Sequence, residues 1–342
     1  MGEKNAMFVG TYPFNDWFGL YDPSGSGSRK VFTIYINSRR INDAYRKNCS
    51  SCWQNFVKSV TVHELGHGLS LANDPQAPGK PDGYYLSIMD TDRPRNSMIV
   101  PQSFDRQNVS AKYSSLIPKL EGNNMKLSNV SMPALVLAVG ITSGCVSDGS
   151  NAGSSEESIK PSEVSEVVTL EADVLPYKTV EDIAARADAL VELSITGSRD
   201  ELMGPDFSSD DPKLNPYAGS GETPSDAELA RMQIAMTVYK AKVINTLAGD
   251  LSEGQTIEVV ELGGSKNGID YNVAQMTALS DEVPDIMFIS QEEDGRFSIV
   301  GMEQGKFNLE GSGKYVSMHP EREDLIIENS EDLMQLEQVV EE

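Results

Sequence analysis

Three side chains with the types and spacing of a metal centre stand close together in the sequence, at His63, Glu64 and His67. On a helix, residues four apart face the same side, so both imidazoles can bind one zinc ion. Glu64 would then lie beside the ion and could accept a proton from the zinc-bound water that attacks a peptide carbonyl. A helix that carries these residues by chance is the alternative interpretation. Because the whole chain has only three histidines, the spacing favours a zinc centre with Glu64 as general base.

The elements that must position these residues can be predicted from the surrounding pattern. Apolar residues recur near helical spacing from residue 53 to about residue 71, which predicts a helix that carries the whole motif. β-Branched and aromatic residues predict a strand over residues 31–36. Prolines, glycines and aspartates predict a loop over residues 73–83, and a second helix is predicted over residues 103–113.

A resemblance to a known family rests on two segments, Val62-His-Glu-Leu-Gly-His-Gly-Leu-Ser-Leu-Ala-Asn-Asp and Ser87-Ile-Met. Together they resemble the metzincin clan of zinc metallopeptidases, and most closely its matrixin-type members, over residues 8–116. The resemblance implies that Met89 forms a methionine turn beneath the metal and that the helix over residues 103–113 closes the domain. It also implies that the strand over residues 31–37 is the edge strand that binds an extended peptide substrate.

The third metal ligand of this family lies six residues after the second histidine. That position is Asn73 in this chain, and Asp74 follows directly. A carboxylate binds zinc better than an amide oxygen does, so we predict Asp74 as the third ligand, with Asn73 as the alternative. Ser70 stands where the family has a glycine, and a serine resists the left-handed backbone that ends such a helix.

The predicted strand at residue 31 lies closer to the start of the chain than in the family, whose domains have a further helix and strands before it. We therefore expect a metzincin-type domain that is truncated at its N-terminus. Two functions follow from this expectation. One is a zinc-dependent endopeptidase that acts on protein or peptide substrates. The other is a non-enzymatic, lipid-anchored surface protein that carries an inactive, truncated peptidase domain.

Residues 125–145 have a lysine, then an apolar run, then small residues before a cysteine, which is the layout of a bacterial lipoprotein leader. The leader predicts a secreted or cell-surface protein, with lipidation of Cys145 as its route to a membrane; a buried core segment is the alternative. A leader at an internal methionine also suggests a fusion of two adjacent reading frames. In an exported protein Cys49 and Cys52 would form a local disulfide, and a reduced pair is the alternative.

Charge divides the chain into two parts. Residues 1–124 have a net charge of +3 and residues 125–342 have a net charge of −27, which together give the −24 of the whole chain. So acidic a C-terminal part would repel phosphates, which argues against nucleic acid as a partner.

The C-terminal part resembles small exported lipoprotein domains and is predicted to be β-rich, a barrel or a sandwich with one or two helices. The predicted elements are helices over residues 179–190 and 225–235 and strands over residues 238–244, 256–262, 286–289 and 297–300. His319 is predicted to be exposed. The chain is therefore predicted to be α+β, with a metzincin-like zinc peptidase domain at 1–117, a leader-like segment and flexible linker at 118–165, a β-rich acidic exported domain at 166–320 and an acidic tail with a helix at 321–342. The sequence does not predict an oligomeric state.

Overall fold

The computed structural model of the chain describes residues 5–13, 16–23, 31–48, 53–73, 86–113 and 166–341. This part of the chain forms two β-sheets and a small number of helices, so the predicted α+β class is confirmed. The described residues up to Ala111 and those from residue 166 onward belong to one compact unit. None of the helices in the described residues is long and apolar enough to span a bilayer.

The first sheet begins with three strands, β1 Ala6–Gly10, β2 Trp17–Asp22 and β3 Thr33–Asn37. β3 is parallel to β1 and antiparallel to β2, and all five of its residues are buried. The strand predicted over residues 31–36 is therefore confirmed. Its prediction as the edge strand is wrong, because β1 and β2 pair with its two sides.

Three helices accompany these strands, α1 Ser38–Asn48, α2 Trp53–Gly68 and α3 Ser103–Tyr113. The two predicted helices are confirmed as α2 and α3. An apolar cluster joins α2 to the sheet, since its Phe56 and Val60 are buried with Phe18, Ile34 and Ile36. Beyond the end of α2, Ser70 has a φ angle of 59°, so the serine does occupy the left-handed conformation that glycine adopts more easily.

The second half of the chain contributes to both sheets. Its elements in chain order are β4 Glu166–Val174, α4 Val180–Ala184, β5 Ala189–Met203, α5 Asp226–Met232, β6 Ile234–Gly249, β7 Thr256–Leu262, β8 Gly264–Lys266, β9 Ile269–Val273, β10 Ile286–Gln291, β11 Phe297–Ile299, β12 Lys306–Leu309, β13 Tyr315–Ser317, β14 Ile326–Ile327 and α6 Ser330–Glu341. The first sheet has the order β1-β3-β2-β4-β9-β8, and the second has the order β11-β7-β6-β5-β10-β12-β13-β14. Because β11 also pairs with β10, the five strands β5, β6, β7, β11 and β10 close a ring around an apolar core.

The four strands predicted in this half all exist, and β7 has the predicted bounds. The helix predicted over residues 179–190 is shorter, because α4 ends at Ala184 and the chain enters β5 at Ala189. Thr179 and Asp182 form a reciprocal capping box at its start, which stabilises so short a helix. His319 is half-buried rather than exposed, and its Nδ1 accepts a hydrogen bond from the backbone N–H of Glu321.

β4 joins the two halves of the sequence within the first sheet. It runs antiparallel to β2 and parallel to β9. One apolar core contains Trp17 and Leu20 from β2, Leu170 from β4 and Met236 from β6. Whether the segments 1–117 and 166–320 also fold separately stays a prediction.

Candidate metal centre

Helix α2 brings the three residues of the motif to one buried position. The side chains of His63 and Glu64 are fully buried and that of His67 is 5% exposed. The helical spacing of the two histidines places their rings side by side, with centroids 4.8 Å apart. The helix therefore positions His63, Glu64 and His67 together, as the sequence predicts.

Backbone carbonyl groups fix the orientation of both imidazoles. Nδ1 of His63 lies 3.0 Å from the carbonyl oxygen of Ile88, and Nδ1 of His67 lies 2.9 Å from that of Leu71. A carbonyl oxygen can only accept a hydrogen bond, so each Nδ1 carries a proton and each Nε2 presents a lone pair. Burial lowers the pKa of His63 well below its usual value and lowers that of His67 to about 4, so both rings are neutral near pH 7.

The two Nε2 atoms point at each other across 3.2 Å. Two lone pairs this close repel one another unless a cation lies between them, and burial disfavours a proton in that role. Two nitrogen ligands at about 2.05 Å from one tetrahedral zinc ion are themselves about 3.3 Å apart. The neutral imidazoles of His63 and His67 therefore fit a zinc ion in both chemistry and spacing.

The turn at Ser87-Ile-Met lies directly against the helix. A Cβ atom at Gly66 would collide with Sδ of Met89, so Met89 would have to shift if residue 66 carried a side chain. Asp105 of α3 holds the turn, since it accepts hydrogen bonds from the hydroxyl of Ser87 at 2.5 Å and from the backbone N–H of Ile88 at 3.0 Å. Met89 thus packs against α2 at Gly66, and α3 fixes the loop whose carbonyl orients His63.

The carboxylate of Glu64 is enclosed against strand β2. A Cβ atom at Gly19 would collide with Oε1 of Glu64 and with Val60, so the strand can approach the helix only with glycine there. Neither carboxylate oxygen has a hydrogen-bond partner among the described residues. Burial, together with the nearby charge of Asp173, raises the pKa of Glu64 well above its usual value. Such a buried group is costly unless a partner is present, which is typical of a functional position.

A second carboxylate, that of Asp173 in β4, lies beside the motif. His63, Glu64 and Asp173 each have a potential metal-ligating atom within 4.8 Å of the others, and all three are buried. Arg93 Nη2 lies 2.7 Å from Oδ2 of Asp173, and Arg95 Nη2 lies 2.6 Å from Oδ1. Burial alone would raise the pKa of Asp173, but the two guanidinium groups outweigh it and hold that pKa well below its usual range.

Of the two candidates for the third ligand, Asn73 is described and Asp74 lies outside the described residues. The side-chain oxygen of Asn73 is buried and has no hydrogen-bond partner in the described part of the chain. Cys49, Cys52 and Cys145 also lie outside the described residues, so their predicted disulfide and lipidation stay predictions.

A cavity of about 930 Å³ lies along β4 and is lined by, among others, Asn73, Glu171, Gln304 and Arg322. None of His63, Glu64 or Asp173 lines this cavity. The cluster of His63, Glu64 and Asp173 is buried, and this cavity lies near it without including it.

Sequence reasoning missed Asp173, Arg93 and Arg95. The two arginines closely follow the Ser87-Ile-Met segment, and their position in the sequence is a weak signal of a charged group near His63. Asp173 gives no such signal, since it lies 106 residues after His67 in an acidic region.

Comparison of the chain with protein-family models, with curated proteins and with solved structures finds no match.

Proposed function

We propose that this chain is a zinc-dependent endopeptidase with a metzincin-type domain, in which His63 and His67 bind the metal and Glu64 is the general base. The observation that carries the proposal is the convergence of two neutral, backbone-oriented imidazoles, with Nε2 atoms 3.2 Å apart. The carboxylate of Glu64 beside them, which has no hydrogen-bond partner among the described residues, supports the same function. The ring of five strands in the C-terminal half supports a barrel rather than a sandwich there.

Each residue has a defined task in peptide hydrolysis. The carbonyls of Ile88 and Leu71 keep Nδ1 of both histidines protonated, which leaves Nε2 free to bind metal. Zinc, when bound, polarises the peptide carbonyl and acidifies water. Glu64 would accept a proton from the attacking water and pass it to the leaving amine.

Asp74 is proposed as the third ligand, with Asn73 as the alternative. A carboxylate would add negative charge and bind zinc more tightly than an amide oxygen. The side-chain oxygen of Asn73 is buried and has no hydrogen-bond partner within the described ranges, which supports testing both positions.

The test is the zinc content of the purified chain by elemental analysis, with casein cleavage as a second measurement. We expect one zinc ion per chain in the wild type and in Glu64→Gln, and little or none in His63→Ala or His67→Ala. His319→Ala is the matched control, because it removes the third histidine of the chain from a position outside the motif, and it should keep the metal. Loss of zinc on Asp74→Ala but not on Asn73→Ala would assign the third ligand. Any cleavage must disappear in Glu64→Gln. A wild-type chain that folds without binding zinc would refute the proposal.

A non-enzymatic role is the second candidate function. It is favoured by the complete burial of His63, Glu64 and Asp173 in the described part of the chain, because a substrate must contact these groups to be cleaved. In that case no variant of the chain would cleave peptides, whether or not it binds zinc. Export and anchoring at Cys145 are proposals from the sequence that apply equally to both functions, and lipid analysis of the protein purified from membranes would test them.

A further inference from the structure

Strand β4 covers the side of β2 that faces away from β3. Its register pairs Leu20 with Ala172 and Tyr21 with Glu171, in the antiparallel direction. An extended peptide that binds to a sheet edge uses the same backbone donors and acceptors. β4 therefore occupies the position that a peptide would take if it bound along β2.

The register of β4 also determines which of its side chains meets the metal-binding cluster. Asp173 pairs with Gly19, the glycine against which the carboxylate of Glu64 packs. Asp173 thus enters the same enclosed space as His63 and Glu64. A strand of the chain itself fills the place where the reacting part of a substrate would lie.

The side chains of Arg93 and Arg95 form a pocket that binds the carboxylate of Asp173. Arg93 is 2% exposed and is held from behind, because its Nε donates to the hydroxyl of Ser59 at 3.1 Å and its Nη1 donates to the carbonyl of Asp90 at 2.9 Å. Arg95 donates to the carbonyl of Thr91 at 2.8 Å. Both guanidinium groups are therefore also held by groups other than Asp173, and each presents a nitrogen to one of the oxygens of Asp173.

We propose that β4 is an internal pseudosubstrate. It keeps the folded chain latent by pairing with the edge of β2, along which a peptide substrate would bind, and its Asp173 fills a pocket of Arg93 and Arg95 that selects an acidic side chain in peptide substrates. This inference rests on the proposed function. It assigns the substrate class as extended peptides with an aspartate or glutamate beside the scissile bond. It also assigns the full burial of the cluster to latency rather than to loss of function.

The first test uses the full chain with Asp173→Asn, which keeps the shape of the side chain and removes the charge. We expect three changes relative to the wild type: zinc loss to a chelator at least tenfold faster, faster hydrogen exchange of the β2 amides, and peptide cleavage at least tenfold faster. Asp210→Asn is the matched control, because Asp210 is exposed and lies outside the site. Unchanged chelation and unchanged exchange in Asp173→Asn would overturn the inference. If zinc loss and hydrogen exchange both become faster but no peptide is cleaved, β4 does cover the cluster, and the peptidase function is refuted.

The second test measures the acidic preference by binding, which does not depend on turnover. The probe is a fluorescent peptide with the sequence of residues 166–174, Glu-Val-Val-Thr-Leu-Glu-Ala-Asp-Val, beside the same peptide with asparagine in place of its aspartate. The Asp173→Asn chain should bind the aspartate peptide at least tenfold more tightly than it binds the asparagine peptide. Equal affinity for both peptides would overturn the assignment of the arginine pocket.

Should Asp173→Asn fail to fold, the wild-type chain provides the test. Its β2 amides should exchange as slowly as those of β3, which is paired on both sides. Exchange of the β2 amides at the rate of an open sheet edge would show that β4 does not cover β2 in solution.

Discussion

Replacing Asp173 by alanine should lower the free energy of unfolding by about 4 kcal/mol. The side chains of Asp173 and Arg93 are both 0% exposed, and that of Arg95 is 7% exposed. Removing one member of a buried ion pair costs about 3–5 kcal/mol, because the other charge is left without its partner. Here one substitution leaves two guanidinium groups uncompensated, which places the expected loss in that range or above it.

The measurement is urea unfolding followed by tryptophan fluorescence. The chain has two tryptophans, and Trp17 is buried in β2, where it pairs with Val174 next to Asp173. Asp210→Ala, at an exposed position, should change the free energy of unfolding by less than about 0.5 kcal/mol. A loss below about 1 kcal/mol for Asp173→Ala would refute the reasoning, since it would mean that water reaches the arginines in the folded chain.

The same contribution has a defined pH dependence. The pKa of Asp173 is lower in the folded chain than the value of about 4 expected for the unfolded chain. Its stabilisation is therefore complete above about pH 4 and is lost as the pH falls toward the folded-state pKa. The difference in unfolding free energy between the wild type and Asp173→Ala should be constant from about pH 5 to pH 8 and should shrink below about pH 4.

Three further predictions concern the motif and its surroundings. Gly66→Ala should lower the free energy of unfolding by about 1–3 kcal/mol and reduce zinc binding, because the new Cβ collides with Met89. An unchanged melting temperature in calorimetry would contradict this prediction. Ser70→Gly should raise the free energy of unfolding by about 0.5 kcal/mol, because glycine adopts the left-handed backbone without strain, and the melting temperature should rise slightly. Ser70→Ala should not raise either quantity. Because the pKa of His67 is lowered to about 4, the unfolded chain binds a proton near pH 6.5 that the folded chain does not. The zinc-free chain should therefore lose stability between about pH 6.5 and pH 4, and a His67→Gln chain should lose less over the same range.

Local patterns were sufficient to predict the elements that carry the motif. Helix α2 is defined by the spacing of its apolar residues, and α3 by a polar segment with Asp105 in its first turn. Because residues four apart on a helix always share a face, the convergence of His63 and His67 could be predicted without knowledge of the rest of the fold.

Long-range pairing could not be predicted in this way. The strand over residues 31–36 was recognised, but its place in the sheet depends on β2, a short strand that follows a segment of mixed polarity. The role of Asp173 depends on the pairing of β4 with β2, which brings together residues far apart in the sequence. No periodicity within either segment encodes that register, and so the arginine pocket could be found only in three dimensions.

The separation of β2 and β4 along the chain has a consequence during synthesis. Between Asp22 at the end of β2 and Glu166 at the start of β4, the ribosome must add roughly 140 residues. At about 5–20 residues per second, this takes about 7–28 s. Helix α2 is complete early in that interval, whereas the strand that covers its histidines has not yet been made. If β4 is an internal pseudosubstrate, the edge of β2 is uncovered in the nascent chain, and ribosomes stalled before residue 166 would display that open edge.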